Sequence, residues 1–138
     1  MCPKILLVDD SQTARRFETT VLERYVQCEI STAVDGAEGL RKALSEKPDL
    51  ILLDVVMPKM DGLATCKAMR KHDVLRNVPI VMVTSRGEAS NVNAGYRCGC
   101  NAYLTKPIKE QELIQLLRVF LGPDESEQQT QLPVTAKK

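Results

Sequence analysis

Residues 50–54 have the sequence LILLD, four apolar side chains followed by a carboxylate. A short segment that is apolar at every position is typical of a parallel β-strand covered on both faces. Such a strand ends at the carboxyl edge of its sheet, where open α/β sheets bind their ligands. A carboxylate buried there without a partner would destabilise the fold. Asp54 therefore predicts a functional site at the end of a central strand.

Four other short segments have strand-like composition, and a helix-like segment follows each strand. The predicted strands besides 50–54 are 4–8, 29–33, 80–84 and 102–106. Five strand–helix repeats predict an α/β fold, a flavodoxin-like doubly wound sheet of five parallel strands with five helices on its two faces. The first, third and fourth strands are almost entirely apolar, whereas the other two are more polar. This difference favours the strand order 2-1-3-4-5.

Spacing and capping residues predict the helices. Ser11 is positioned to cap the first helix, and Asp35 with Glu38 has the spacing of a capping box before the second. The apolar face of the first helix is predicted to consist of Ala14, Phe17, Val21, Leu22 and Tyr25. The remaining three helices are predicted over 63–71, 87–96 and 113–121.

The composition of the chain excludes several classes of protein. The chain has 138 residues, of which 43% are hydrophobic and 27% charged, and its net charge is +1. A net charge this small gives no excess of basic residues that would indicate direct binding to nucleic acid or an anionic membrane. No apolar run approaches the ~18 residues of a membrane span, so we expect a cytoplasmic protein. The five cysteines are odd in number and scattered, which favours reduced thiols over disulfides or a metal site.

The composition changes near the C-terminus. From residue 123 the chain is polar and contains few apolar side chains. We expect residues 1–122 to form one folded domain and residues 123–138 to be a disordered tail or the start of a linker.

The predicted strand ends supply Asp9, Asp10, Asp54, Thr84 and Lys106. In the expected order these ends meet at one edge, across the crevice between the first and third strands. Three carboxylates against one ammonium leave an excess of negative charge, which either raises a carboxyl pKa or binds a cation. Mg²⁺ fits, because it takes carboxylates together with water and phosphate oxygens.

The same residues suit phosphoryl transfer. An aspartate such as Asp54 can act as a nucleophile and form an acyl phosphate. A metal ion and Lys106 would stabilise charge on the transferring oxygens, and the Thr84 hydroxyl could hydrogen-bond the phosphoryl group. Alone, Asp9-Asp10 could be only a helix-start signal and Lys106-Pro107 only a turn, but their combination at successive strand ends is specific.

At these residues the chain resembles the receiver domain of bacterial two-component response regulators, in the stand-alone form found in chemotaxis. The resemblance covers about residues 3–121 and is carried by VDDS (8–11), LLDVVMP (52–58) with DG (61–62), VTS (83–85) and YLTKP (103–107). It implies that Asp54 is the phosphoacceptor, charged by a histidine kinase or a phosphotransfer protein. It also implies that Asp9, Asp10 and the backbone carbonyl of Val56 bind Mg²⁺ together with Asp54.

The resemblance assigns further roles near the last two strands. Lys106 would contact the phosphoryl group and the acidic cluster, and the peptide bond between Lys106 and Pro107 would be cis. Thr84 and Tyr103 would form a switch pair in which the threonine moves to the phosphoryl group and the ring turns inward. Arg86 and Val56 occupy positions that tune dephosphorylation in this family. Because the apolar Val56 cannot orient an attacking water, we expect a phosphorylated state that lives longer than in fast-cycling receivers.

The predicted helix 87–96 is the candidate moving element, since its Asn and Gly residues lower its helix propensity. In the family, the face made by the fourth helix, the fifth strand and the fifth helix docks a protein target or a second protomer. No DNA-binding or enzymatic output segment follows in this sequence, so we expect output through protein–protein contact.

Two other functions remain open at this point. The chain could be a docking module that keeps the receiver residues without being phosphorylated. It could also be a haloacid-dehalogenase-like phosphatase, which forms an aspartyl phosphate too. That class carries a D-x-D arrangement and a large cap insertion, whereas this chain has Asp9-Asp10-Ser11 and no insertion.

Overall fold

A computed structural model describes residues 2–25, 27–57, 60–85 and 98–122. Its centre is a five-stranded sheet with the order β2-β1-β3-β4-β5, in which every neighbouring pair is parallel. The predicted strand order is therefore confirmed. The strands are β1 (Lys4–Val8), β2 (Glu29–Ala33), β3 (Leu50–Asp54), β4 (Ile80–Ser85) and β5 (Ala102–Lys106).

Four α-helices lie within the described residues. They are α1 (Gln12–Tyr25), α2 (Gly36–Glu46), α3 (Gly62–Arg70) and α4 (Glu110–Leu121), with a short 3₁₀ turn at Asp73–Leu75. The segment 87–96, predicted as a further helix, lies outside the described residues, as do Arg86 and the predicted tail 123–138. Within the described ranges, no helix has both the length and the apolar composition that a membrane crossing needs.

Two apolar clusters cover the two faces of the sheet. Alternate residues of β3 enter opposite clusters: Ile51 and Leu53 pack on the side of α2 and α3, and Leu50 and Leu52 on the side of α1 and α4. All five residues of β3 are buried, whereas β2 is only partly buried. These burial patterns match the predicted central and edge positions.

Side chains cap the first three helices: Ser11 caps α1, Asp35 caps α2 and Asp61 caps α3. The Ser11 hydroxyl accepts a hydrogen bond from the Ala14 N–H at 3.2 Å, which confirms the predicted cap of α1. Asp35 accepts from the Glu38 N–H at 2.9 Å. The Glu38 carboxylate, however, accepts from the Val34 N–H at 2.8 Å, one residue before the cap. The predicted box therefore forms with its return bond shifted by one residue.

The predicted apolar face of α1 is wrong at two positions. Val21 and Leu22 are buried, but Phe17 is 42% exposed and Tyr25 is 37% exposed. Glu18 is buried instead, with 2% of its surface exposed. Positions 18, 21 and 22 have the i, i+3, i+4 spacing of one helical face, and this face turns toward the sheet. Phe17 lies at the flank of that face, and Tyr25 is the last helical residue.

The cysteines are free thiols, and two of them belong to the core. Burial raises the pKa of Cys66 to about 12 and that of Cys100 to about 11. Both thiols therefore stay protonated at neutral pH and behave as small apolar groups.

The start of α3 packs directly on the end of β3. The Gly62 N–H donates to the Val55 carbonyl oxygen at 2.8 Å. A Cβ atom at Gly62 would lie 2.2 Å from the Asp54 carbonyl oxygen and 2.7 Å from the Val55 Cα. Only a glycine lets the helix approach this closely, and the contact fixes the backbone that carries Asp54.

We predict that Gly62→Ala lowers the free energy of unfolding by about 2 kcal/mol, because the added methyl group meets backbone atoms that cannot move independently. Helix propensity alone would make Gly62→Ala stabilising by about 1 kcal/mol. A loss of stability therefore indicates the steric contact, and a gain indicates propensity alone. Urea denaturation measures it. Ala64→Gly in the same turn is the control, with a loss of at most about 1 kcal/mol. An unchanged or raised stability for Gly62→Ala would contradict the close packing.

Candidate functional site

The carboxyl ends of four strands meet at one edge of the sheet. Asp9 directly follows β1, Asp54 ends β3, Thr84 lies near the end of β4 and Lys106 ends β5. The parallel registers place Asp54 beside Val83 and bring Thr84 and Lys106 to neighbouring positions at the ends of β4 and β5. The structure therefore brings together the residues that the sequence places at strand ends.

Three carboxylates form the core of this edge. One carboxylate oxygen from each of Asp9, Asp10 and Asp54 can be chosen so that all three lie within 4.8 Å of one another. Asp9 and Asp54 are buried and Asp10 is exposed. Hard oxygen donors at this spacing, with one side open to solvent, fit a divalent cation such as Mg²⁺ that keeps part of its water shell.

The Lys106 ammonium is shared by two of these acids. Its Nζ atom lies 3.3 Å from Asp54 Oδ1 and 3.7 Å from Asp9 Oδ2. Burial lowers the pKa of Lys106, but the charges of Asp54 and Asp9 outweigh it, and the net pKa is raised. Lys106 therefore remains charged and neutralises part of the acidic cluster.

The pKa of the Asp54 carboxyl is raised toward neutral pH. Burial, and next the charge of Asp9, raise its pKa to about 6, although Lys106 and a hydrogen bond from the Val56 N–H act in the opposite direction. At neutral pH Asp54 is mostly a carboxylate, and its charge is only partly compensated. This is the state in which a carboxylate can act as a nucleophile.

Asp9 is fixed by the start of α1. Its Oδ1 atom accepts a hydrogen bond from the Ser11 N–H at 2.8 Å, and its backbone carbonyl accepts one from the Arg15 guanidinium. The first bond orients the carboxylate, and the second fixes the Asp9 backbone. The peptide bond between Lys106 and Pro107 is cis, as the resemblance implied.

Thr84 carries a buried hydroxyl without a hydrogen-bond partner. The residue is 2% exposed, and its Oγ1 atom is the one buried side-chain oxygen or nitrogen in the described ranges that lacks a partner. Leaving such a group unpaired costs about 1–3 kcal/mol. An unpaired hydroxyl beside a cluster of acids is suited to donate to a group that binds there.

Tyr103 lies deeper in β5 than the other predicted residues. It pairs in register with Met82 and is packed, half-buried, against the core cluster on the side of α2 and α3. The Val56 side chain is 60% exposed beside Asp54.

Glu18 is the residue near this edge that the sequence-based prediction missed. Burial is the main cause that raises its pKa to about 8; Asp9 and Asp54 raise it further, while Lys106 and Arg15 lower it. Its spacing of three and four residues from Val21 and Leu22 was the available signal. The prediction passed over it because glutamate is rarely buried.

We predict that Glu18 makes stability fall as the pH rises. Between about 4.5 and about 8 the folded protein holds a proton that the unfolded chain has lost. The free energy of unfolding therefore decreases across this window by up to about 1.4 kcal/mol per pH unit. Glu18→Gln removes this loss, so its stability relative to the natural chain should grow from about pH 5 to about pH 8.

Denaturant titrations at several pH values, with a chelator present, measure this difference. Glu23→Gln, at an exposed position of the same helix, is the matched control and should show no such trend. A pH-independent difference between Glu18→Gln and the natural chain would show that Glu18 does not titrate in this window.

Comparison with known proteins places the chain in a family. A model of the response regulator receiver domain matches residues 5–118. PilG of Pseudomonas aeruginosa is 33% identical over 118 residues, which cover 86% of this chain and 87% of PilG. Several longer transcriptional regulators also match, and the chain spans about half of their length.

Solved structures agree in fold. The chemotaxis protein CheY4 of Vibrio cholerae is 32% identical with a TM-score of 0.81, over 87% of this chain and 99% of CheY4. The receiver domain of the sensor histidine kinase PA1611 from Pseudomonas aeruginosa PAO1 is 28% identical, also with a TM-score of 0.81, over 88% of this chain and 99% of that one. The PA1611 structure contains a magnesium ion coordinated in the active site cleft.

Proposed function

The chain belongs to the response regulator receiver domain family, and on that premise we propose that it accepts a phosphoryl group on Asp54. Phosphorylation and Mg²⁺ binding are general properties of this family. The observation that carries the proposal is the position of Asp54, which is 3% exposed, lies 3.3 Å from Lys106 and is grouped with Asp9 and Asp10. The haloacid-dehalogenase-like alternative is set aside, because the receiver family matches residues 5–118.

The donor in this proposal is a phosphohistidine on a histidine kinase or a phosphotransfer protein. A carboxylate oxygen of Asp54 attacks the phosphorus atom, and the P–N bond to the imidazole breaks with its electron pair passing to nitrogen. The product is an acyl phosphate on Asp54. The reaction needs the carboxylate form, which predominates at neutral pH because the pKa of Asp54 is about 6.

The acidic cluster is the proposed site for Mg²⁺. Asp9, Asp10, Asp54 and the backbone carbonyl of Val56 would hold the ion, and the carboxylate spacing fits such a donor set. Bound Mg²⁺ supplies positive charge against the phosphoryl oxygens. Asp10, the exposed acid, is the ligand on the side from which the ion would enter.

Lys106 and Thr84 act on the phosphoryl group from the side of β4 and β5. The Lys106 ammonium, already placed against Asp54, pairs with the oxygens that carry negative charge after transfer. The unpaired Thr84 hydroxyl donates a hydrogen bond to one of them and thereby gains the partner it lacks. Tyr103, on the adjacent strand, completes the proposed switch by turning its ring inward.

The signal then reaches a docking face. We place it on β5, α4 and the segment 87–96, of which the last lies outside the described residues. The partner is a downstream protein or a second protomer, without direct contact to nucleic acid or membrane, in the cytoplasm. Residues 1–122 form the receiver in this proposal, and residues 123–138 a tail or linker.

We predict Mg²⁺-dependent phosphorylation by acetyl phosphate, seen as a mobility shift in a phosphate-affinity gel. Asp54→Asn should abolish the shift because the amide is a poor nucleophile, and Asp73→Asn, an exposed acid on the 3₁₀ turn, should keep it. The docking-module alternative gains support if acetyl phosphate and a panel of histidine kinases all leave the natural chain unshifted.

Phosphoryl lifetime is expected to depend on position 56. The Val56 side chain is exposed at the rim and offers no group to orient water, so the acyl phosphate should be long-lived. Val56→Asn should shorten the half-life, measured as loss of the shifted gel band after removal of donor. Val74→Asn, which places the same amide at an exposed position elsewhere, is the control. Equal half-lives in both variants would argue against a role for Val56.

A further inference from the structure

A cavity with a volume of about 580 Å³ lies between the start of α1 and the chain that follows β5. Ala14 and Phe17 line it from the helix, and Pro107 and Ile108 line it from the opposite side. Its volume is in the range of small-molecule sites, which are mostly apolar with a few polar groups that orient the ligand. Phe17, 42% exposed, offers a free ring to a ligand.

Glu18 is the buried acidic residue among those that line this cavity, which also include Ser11, Thr13 and Lys106. Glu18 lines the cavity while only 2% of its surface is exposed. Burial disfavours the charged form of a carboxyl unless a positive group pairs with it. The Glu18 side chain is thus a buried acid at the wall of the cavity.

The two neighbouring cations, Lys106 and Arg15, interact with other groups. Lys106, at the rim of the cavity, pairs with Asp54 and Asp9, and the Arg15 guanidinium donates to the Asp9 carbonyl. Burial and the charges of Asp9 and Asp54 raise the pKa of Glu18 more than these two cations lower it. The surroundings of the carboxyl therefore favour the arrival of an additional positive charge.

We propose that this cavity binds a small organic cation, an amidinium or guanidinium group carried on an apolar body. The cationic head pairs with the Glu18 carboxylate through two parallel hydrogen bonds, and the apolar body packs between Phe17 and Ile108. Anionic ligands are disfavoured, because Glu18, Asp9 and Asp54 outnumber the nearby cations. The inference rests on the cavity's own residues and is independent of phosphorylation at Asp54.

Three ligands of the same shape test the proposal: benzamidine, benzamide and benzoate. They present the same ring with a cationic, a neutral and an anionic head. Binding is measured by amide chemical-shift titration at about pH 8.5, where Glu18 is largely ionised. Excess Mg²⁺ is present, so that benzamidine competes poorly for the acidic cluster. Benzamidine should bind at least about tenfold more tightly than benzamide, and benzoate most weakly.

Glu18→Gln should bring benzamidine and benzamide within about twofold of each other, and Glu23→Gln should keep the tenfold preference. In the natural chain, the signals of Phe17, Glu18 and Ile108 should move with benzamidine, which tests the site even if Glu18→Gln folds poorly. Equal affinity for the cation and the amide, preference for benzoate, a preference that survives Glu18→Gln, shifts confined to the acidic cluster, or no binding would each overturn the proposal. The gel assay on Asp54 reports on phosphorylation separately.

Discussion

The ammonium of Lys106 lies between the buried carboxylates of Asp54 and Asp9, and the chemistry of the sheet edge depends on this placement. Without a cation there, two buried acids would face each other, and each uncompensated buried charge costs several kcal/mol. With one ammonium for two buried acids and the exposed Asp10, the edge stays negative. The remaining negative charge favours the binding of a cation. Burial, and next the charge of Asp9, raise the pKa of Asp54 to about 6.

Parallel topology explains why these groups meet. Each strand runs in the same direction, so each delivers its last side chain to the same edge, and central strands deliver theirs into buried surroundings. The loops that leave this edge are then fixed by local contacts: Ser11 caps α1, Asp61 caps α3, and Gly62 allows α3 to touch the backbone of Asp54. The geometry of the acids is thus set by backbone packing.

The sequence was sufficient for the features that depend on strong, local patterns. Apolar strands ending in polar residues predicted the strand order and the meeting of Asp9, Asp54 and Lys106, because strand direction alone decides where those side chains go. The rotation of α1 was not predictable in the same way. The Phe17 and Glu18 positions differ by one step around the helix, and apolarity favoured the wrong one, since tertiary packing and not hydrophobicity fixed the rotation. Whether the Thr84 hydroxyl finds a hydrogen-bond partner depends on the positions of neighbouring atoms, which sequence spacing does not predict.

The complete burial of β3 has a consequence for how the molecule deforms. A strand with neighbours on both sides and side chains covered on both faces opens only when the whole domain unfolds, whereas edge elements open locally at lower free energy. Asp54 therefore lies at the end of a strand that is constrained by two neighbouring strands and by packing on both faces. Under the proposed function, a phosphoryl group on this carboxylate would act on a strand held on both sides, whereas β5 has a neighbour on only one side of the described sheet. The central strand is therefore the more constrained of the two, and the edge strand β5 the less constrained.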